Sequence, residues 1–526
     1  VNRPYDLLRR HAQEFGDAKP ALIFSGGRTE TYPGLVARID EHAARLSAAG
    51  IGRGTRTIVM VPVRPELVAV LFALFKLGAV PVVVDPGMGL GRMLYSYRTT
   101  GAEAFVGVPA AHLIRLLYRR TFRGLRSVVT VRTRRSGASA APAAEAVVEA
   151  GDPLLIAFTT GSTGPAKGVE FTYELLDATL AHASDGRFGH DASDICLATS
   201  LSFGLTHLLA GATCVFPDID YGRIARTDPA LLAEAVERFG ATVMFGSPAL
   251  LDPLARHASA GDRRLRSLRR VITGGAPASP ESMAMLEAKL APSGTRITVA
   301  YGATEVVPIT TIEIAELRER TWDDTRTGAG TCVGRPVNGV SLRVIRAVDV
   351  PLPDWSRAEP LPDGEIGEIV VSGPAVSRHY TTPASADRDH KIADGSRVWH
   401  RTGDVGRIDE AGRVWLCGRK RDIVRTDAGP LYTVQCEGVF DAHPDVRRSA
   451  LVGVGRRPVV CIELRRGAGD RPRIVRELTE LAERHPVTKG IDRFLFHPSF
   501  PVDPRHNAKI DHERLAVWAA RKGDRR

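Results

Sequence analysis

Apolar residues recur at helical spacing across 35–46, with Leu35, Ile39, Ala43 and Leu46 on one face. Glycines at 50, 52 and 54 then turn the chain into a short apolar run at 57–61 that reads as a strand. A helix over 66–77 and a strand over 80–84 follow. The same alternation returns around Val243, Val271 and Ile297. Strand–helix–strand repetition of this kind predicts an α/β fold of mostly parallel sheets covered by helices. The most apolar stretch, 67–84, is interrupted by Lys76, Gly78 and Pro81, so it predicts a buried helix and strand and no transmembrane segment.

With 526 residues the chain exceeds what one core organises, and at least two domains are expected. The segment 131–150, rich in Arg, Ser and Ala, reads as a flexible surface connection, and 349–364 is a proline-rich break. Beyond Gly418 the composition shifts to a charged segment, short strands at 449–454 and 459–464 and a helix at 473–485. This predicts a small α+β domain from Arg419 to the end, 419–526, behind a large domain 1–418.

Composition narrows the picture further. Hydrophobic residues at 44% and charged residues at 25% describe a folded globular chain. Six cysteines with no C-x-x-C pair suggest buried thiols in a reducing cytoplasm, without disulfides or zinc. The start, Val1-Asn2-Arg3-Pro4, lacks the apolar core of a signal peptide, which also favours a cytoplasmic location. The net charge of +11 is densest at 119–135 and 263–270. Those arginines alternate with Leu and Val and have no aromatic platform beside them, so they read as solvated faces and no nucleic acid is expected. Acidic partners or peripheral membrane association through anionic headgroups stay open.

Candidate chemistry is concentrated in Thr159-Thr160-Gly161-Ser162-Thr163-Gly164-Pro165-Ala166-Lys167-Gly168, which follows the apolar run 154–158. Hydroxyls, flexible glycines and one ammonium in ten residues suit phosphate oxygens. The spacing is not that of a Walker loop, because the lysine follows Gly164 by three residues and is itself followed by Gly168.

This run resembles the phosphate-binding signature of the adenylate-forming superfamily of acyl-CoA synthetases, luciferases and peptide-synthetase adenylation domains. Other motifs of that family follow in order: Gly274-Gly275-Ala276-Pro277, Tyr301-Gly302-Ala303-Thr304-Glu305, Thr402-Gly403-Asp404, Gly418-Arg419 and, near the end, Arg505-His506-Asn507-Ala508-Lys509-Ile510. The resemblance implies ATP and Mg²⁺ as cofactors. It implies that 274–277 forms the adenine-side loop, Tyr301 stacks on adenine, Thr304 contacts phosphate, Glu305 helps hold the metal, Asp404 accepts from the ribose hydroxyls and Arg419 closes the nucleotide site. Lys509 would be the catalytic lysine of a mobile C-terminal lid. The family's hinge position carries Arg421, with Asp422 beside it, instead of the usual Asp or Lys.

The segments 82–89, 429–437 and 505–510 are similar to the β-lactone synthetases of bacterial olefin biosynthesis. That branch implies a long-chain 2-alkyl-3-hydroxy fatty acid as substrate, adenylated and then closed by its own hydroxyl, with other enzymes of that pathway as candidate partners. Phe203, Gly204, Phe245, Gly246 and Val306 are the expected acyl-site residues, the glycines leaving room for alkyl chains. His207 is either the base for ring closure or a packing and positioning histidine. Two other functions remain open on sequence: a long-chain acyl-CoA synthetase or fatty acyl-AMP ligase, and a non-catalytic adenylate-binding protein.

Overall fold

The computed structural model describes residues 1–132, 143–159, 166–184, 189–259, 262–277, 280–502 and 509–523. The helix Tyr32–Ala48 starts where the Thr31 hydroxyl accepts a hydrogen bond from the Gly34 N–H, and it buries Leu35, Ile39 and Leu46 as its spacing predicts. The helix Pro65–Lys76 is buried on every side, which explains its lack of a polar face. It belongs to a hydrophobic core that also takes Leu22, Cys196 and Phe216 from one sheet and Val59, Ala104 and Leu154 from another.

The second of these sheets has seven strands in the order Tyr380–Thr382, Lys167–Thr172, Pro153–Thr159, Val80–Val83, Arg56–Met60, Ala104–Gly107 and Ser127–Thr130. The last five run parallel, and the first two are added antiparallel. The first is a 14-stranded sheet of two characters. Its parallel part contains Pro20–Phe24, Thr213–Phe216, Ile195–Leu197, Val243–Phe245, Arg270–Gly274 and Arg296–Ala303. From Val306–Glu313 onward it is antiparallel, through Thr331–Pro336, Val414–Arg419, Arg397–Ile408, Gly367–Ser372 and Ser341–Ile345. The α/β class stands, while parallel pairing is confined to the regions built by helical crossovers.

The smaller C-terminal domain holds the three-stranded sheet Val446–Val454, Arg457–Leu464 and Phe494–Phe496 with the helices Thr433–Phe440, Arg471–Arg484 and His512–Gly523. Its two apolar clusters, one around Phe440 and Leu478 and one around Cys461 and Leu515, are its own. It touches the larger part where Gln435 Nε2 donates to the Gly328 carbonyl at 2.9 Å and where Arg465 pairs with Glu281 at 2.9 Å.

Two expectations about connections change. Of the connection 131–150, residues 133–142 lie outside the described residues, and 143–150 have no regular structure yet are tied down: Glu145 pairs with Arg3 and Arg9, and the Ala146 N–H donates to the Lys76 carbonyl. The proline-rich 349–364 is not a domain break, because Trp355 stacks on Trp399 with ring centroids 4.7 Å apart. All six cysteines are free and buried. No helix among the described residues is long and apolar enough to cross a membrane.

Candidate active site

The residues expected on the nucleoside side lie at the end of the parallel part of the long sheet. Gly274 ends the strand Arg270–Gly274, where a β-carbon would sit 2.5 Å from the Ala300 carbonyl oxygen, so only glycine permits this approach. Gly275, Ala276 and Pro277 continue as a partly or fully exposed loop. On the neighbouring strand, pairing of Ala303 with Val306 closes a tight hairpin whose tip is Thr304-Glu305. Gly302 supports that turn, since a β-carbon there would meet the Val306 carbonyl oxygen at 2.7 Å.

The antiparallel half of the sheet brings the next two residues in. Asp404 and Arg419 are register partners on adjacent strands. Arg419 Nε lies 2.9 Å from Asp404 Oδ1, and the Tyr301 hydroxyl donates to Asp404 Oδ2 at 2.6 Å. Tyr301, Asp404 and Arg419 thus form one connected group across 118 positions of sequence. Asp404 raises the Arg419 pKa, while burial and Asp404 together push the Tyr301 phenol well above its ordinary value.

The side expected to take phosphate holds more titratable groups than the motifs imply. Thr160, Gly161, Ser162, Thr163 and Gly164 lie outside the described residues; Thr159 ends one strand and is the register partner of Lys167, which starts the next. Lys167 Nζ is 3.1 Å from His390 Nε2 and 5.4 Å from the Tyr380 ring centroid. The Tyr380 hydroxyl donates to Glu305 Oε1, and Lys391, with Nζ 5.0 Å from the same ring centroid, donates to the Ser377 carbonyl. His400 is the register partner of Lys391, and its Nδ1 is buried without a hydrogen-bond partner. Burial lowers the Lys167 pKa against the pull of Glu305, and lowers Lys391 to about 8. Burial, then Lys167, holds His390 near 4, and burial, then Lys391, takes His400 well below its ordinary value. Both imidazoles are neutral near pH 7.

Tyr380, His390, Lys391 and His400 were not among the sequence candidates. His400 lies four residues before Asp404, within reach of the Thr402-Gly403-Asp404 motif. The others had no readable signal, because a lysine and a histidine in a charged stretch normally face water.

On the acyl side, Phe203, Gly204 and His207 share the helix Leu201–Leu209, and Phe203 lies 5.6 Å from Phe245 between ring centroids. His207 is fully buried. Its Nδ1 is 2.9 Å from the Phe203 carbonyl, which can only accept, so Nδ1 carries the proton and Nε2 holds a lone pair. Nε2 has no hydrogen-bond partner. Burial and the His190 ring, 3.7 Å away between centroids, put the His207 pKa well below its ordinary value.

The glycines do not leave the room expected of them. A β-carbon on Gly204 would meet Ala198 Cβ at 2.7 Å, and one on Gly246 would meet Leu251 Cδ2 at 2.5 Å, so both glycines are fixed by protein packing. Val306 likewise packs in a core with Ile309 and Val333, and its neighbour Val307 is the exposed member of the pair.

Lys509 stands in the smaller domain, one residue before the bridge between Ile510 and Val502. Nearby, His512 Nε2 contacts Glu437 at 2.7 Å and Nδ1 lies 3.9 Å from Asp422; the two carboxylates raise its pKa to about 9 against its burial. Across the expected hinge, Lys420 binds Glu368 of the larger part at 3.0 Å. The chain therefore changes partners between Lys420 and Asp422.

The profile of the family described as AMP-binding enzyme matches residues 8–381. The chain belongs to that family. Within it, the chain is 43% identical over 517 residues to the olefin beta-lactone synthetase of Stenotrophomonas maltophilia, covering 95% of this chain and 92% of that one. It is 42% identical to the olefin beta-lactone synthetase of Xanthomonas campestris, covering 94% and 91%. The structure of ATP-bound MatB from Rhodopseudomonas palustris superposes with a TM-score of 0.80 at 24% identity, covering 98% of this chain and 99% of that one, a likeness of fold. This member of the AMP-binding family is thus an AMP-forming ligase by kinship.

Proposed function

We propose that the protein is an ATP-dependent β-lactone synthetase acting on a long-chain 2-alkyl-3-hydroxy fatty acid. The observation that carries this reading is its similarity, from end to end, to the two olefin beta-lactone synthetases, combined with the connected group Tyr301–Asp404–Arg419.

In the first half-reaction a substrate carboxylate oxygen attacks the α-phosphorus of ATP and pyrophosphate leaves, giving the acyl adenylate. Tyr301 and the loop 274–277 hold the base, Asp404 and Arg419 the ribose, and Lys167 the phosphates. Glu305 is a buried carboxylate that Tyr380 orients. Such a hard oxygen donor fits Mg²⁺, which neutralises phosphate charge when bound. Lys509 stabilises the charge developing at the α-phosphate. We assign 1–418 to the large domain and 419–526 to a mobile lid that delivers Lys509, with its hinge at Arg421 or Asp422.

In the second half-reaction the substrate's own β-hydroxyl oxygen attacks the acyl carbon and AMP leaves. The hydroxyl proton passes to His207 Nε2, whose tautomer and missing partner suit an acceptor. Phe203 and Phe245 keep the surroundings apolar, so that water does not reach the anhydride first.

The test is incubation with Mg-ATP and a 2-alkyl-3-hydroxy acid, with the product identified by NMR. A β-lactone formed without CoA is expected; an acyl thioester formed only with CoA would overturn the reading. The base role has its own check, because a His207→Ala enzyme that closes a preformed acyl adenylate at the full rate excludes it.

A further inference from the structure

The two arginine clusters of the sequence are built differently. In 263–270 the leucines are inside and three of the five arginines are paired: Leu265 and Leu268 are each 1% exposed, Arg264 pairs with Asp262, and Arg269 and Arg270 both pair with Asp194. That is an ordinary solvated face. Just ahead of the other cluster, at 113–117, the leucines are outside, while Leu125 within the cluster is half-buried. Leu113 is 63%, Leu116 46% and Leu117 79% exposed on the helix Pro109–Leu117, and their spacing of three and four places them in one stripe.

The opposite side of this helix holds it to the sheet. Ala111 is buried, the His112 ring lies 5.2 Å from Phe105, and His112 Nε2 is 3.1 Å from Thr130 Oγ1 on the edge strand Ser127–Thr130. The helix is therefore anchored, and its leucine stripe faces away from the protein. Val128 on that edge strand is exposed too. Exposed Arg119, Arg120 and Arg123 follow the helix in sequence, and exposed Arg126 and Arg132 flank the edge strand. No acidic residue occurs anywhere from 104 to 144. Arg126 reaches back to Glu103; among the described residues Arg119, Arg120 and Arg123 have no acidic partner.

We propose that the helix Pro109–Leu117 and the arginine-rich turn after it form a docking surface for an anionic lipid bilayer. Leucines seated at the depth of the acyl chains and arginines at the level of the headgroup phosphates use both parts of the patch at once. A second copy of the chain would set one arginine collar against another, so like charges oppose self-association. A nucleic acid would satisfy the arginines and leave the leucines in water. The surface stands independently of the reaction proposed above, and a poorly soluble long-chain acid gives it a use, since such a substrate is concentrated at lipid.

The experiment is sedimentation of the full chain with phosphatidylcholine vesicles, with and without about one third phosphatidylglycerol. Wild type is expected to pellet with the anionic vesicles and to be released at about 0.5 M salt. The triple changes Leu113→Gln, Leu116→Gln, Leu117→Gln and Arg119→Glu, Arg120→Glu, Arg123→Glu are each expected to weaken binding by about tenfold or more. Their melting temperatures and ATP–pyrophosphate exchange should match wild type, which shows that the fold is kept. Failure of wild type to bind anionic vesicles, indifference to vesicle charge, or equal binding by the variants would overturn the proposal. So would a change of molar mass in light scattering caused by the leucine variant, which would mean that a copy of the chain covers the patch.

Discussion

The two ends of the nucleotide site are built on opposite electrostatic plans. On the nucleoside side, charge is matched before any ligand arrives: the two oxygens of Asp404 are taken by Arg419 and by the Tyr301 hydroxyl. On the phosphate side, Lys167, Lys391, His390 and His400 gather around one buried carboxylate, Glu305, and both lysines have lowered pKa values as a result of burial. A neutral ribose can enter the first only by exchanging hydrogen bonds. A polyanion entering the second supplies charge that the protein lacks. The charge that attracts ATP is therefore expected at the phosphate corner, and the hydrogen bonds that position and discriminate the nucleoside at the other.

The strongest way to break this contrast is Asp404→Ala. It removes the proposed acceptor for the ribose and leaves Arg419 there without its carboxylate. Two charge-assisted hydrogen bonds at about 1.5–2 kcal/mol each correspond to a fall of about a hundred- to a thousandfold in kcat/KM for ATP, measured by ATP–pyrophosphate exchange. Loss of less than about tenfold would mean that Asp404 does not hold the ribose.

Lys391→Met comes next, and it should improve stability while harming activity. The unfolded lysine keeps its proton up to about 10.5, the folded one only up to about 8. Between these values the unfolded chain binds more protons, so stability rises with pH there, and below pH 8 the native state carries the full cost of a buried ammonium. The variant should gain up to about 3 kcal/mol at pH 7. The gain should fade towards pH 10, which thermal unfolding at the two pH values can follow. Loss of the positive charge should raise KM for ATP by about tenfold. A variant less stable at pH 7 than at pH 10, relative to wild type, would reverse the argument.

These corners also differ in how much of them could be read beforehand. Tyr301, Asp404 and Arg419 stand in short motifs; the apolar periodicity predicts the parallel part that carries Tyr301, whereas Asp404 and Arg419 meet it through antiparallel register. The antiparallel half of that sheet was not legible, because its strands pair out of chain order, with Thr331–Pro336 beside Val414–Arg419, and the helices between them are not crossovers of a parallel sheet. Lys391 and His390 were hidden for another reason. Their burial is imposed by Tyr380 and the strand Arg397–Ile408, neither of which local sequence can place. Gly204 and Gly246 were assigned to ligand space, although Ala198 and Leu251 fill it, since a glycine's neighbour across a fold is invisible in sequence. The loop 160–164, the clearest motif of all, lies outside the described residues.

A finer test of the phosphate corner measures protons directly. At pH 8 Lys391 is about half protonated by its pKa of about 8. A bound polyanion raises that pKa, so ATP binding should take up a fraction of a proton. Titration calorimetry at pH 8 in buffers of different ionisation enthalpy reads this uptake, and it should disappear in Lys391→Met. Proton release, or equal uptake in the variant, would place the titrating group elsewhere.

The smallest expected effect belongs to Tyr301→Phe, and it separates two roles of one side chain. The ring proposed to stack on adenine is kept and only the hydroxyl is lost. In the free protein that hydroxyl occupies Asp404 Oδ2, the atom proposed to receive the ribose. Its removal loses a hydrogen bond that orients the carboxylate and also removes a competitor for the same oxygen. The two effects oppose each other, each worth about 1 kcal/mol, so kcat/KM for ATP should change by less than about fivefold in either direction. Tyr301→Ala, which also gives up the ring, should cost about tenfold or more. If Phe proves as damaging as Ala, the hydroxyl contacts the nucleotide itself, and the nucleoside corner is not the self-satisfied group that its geometry describes.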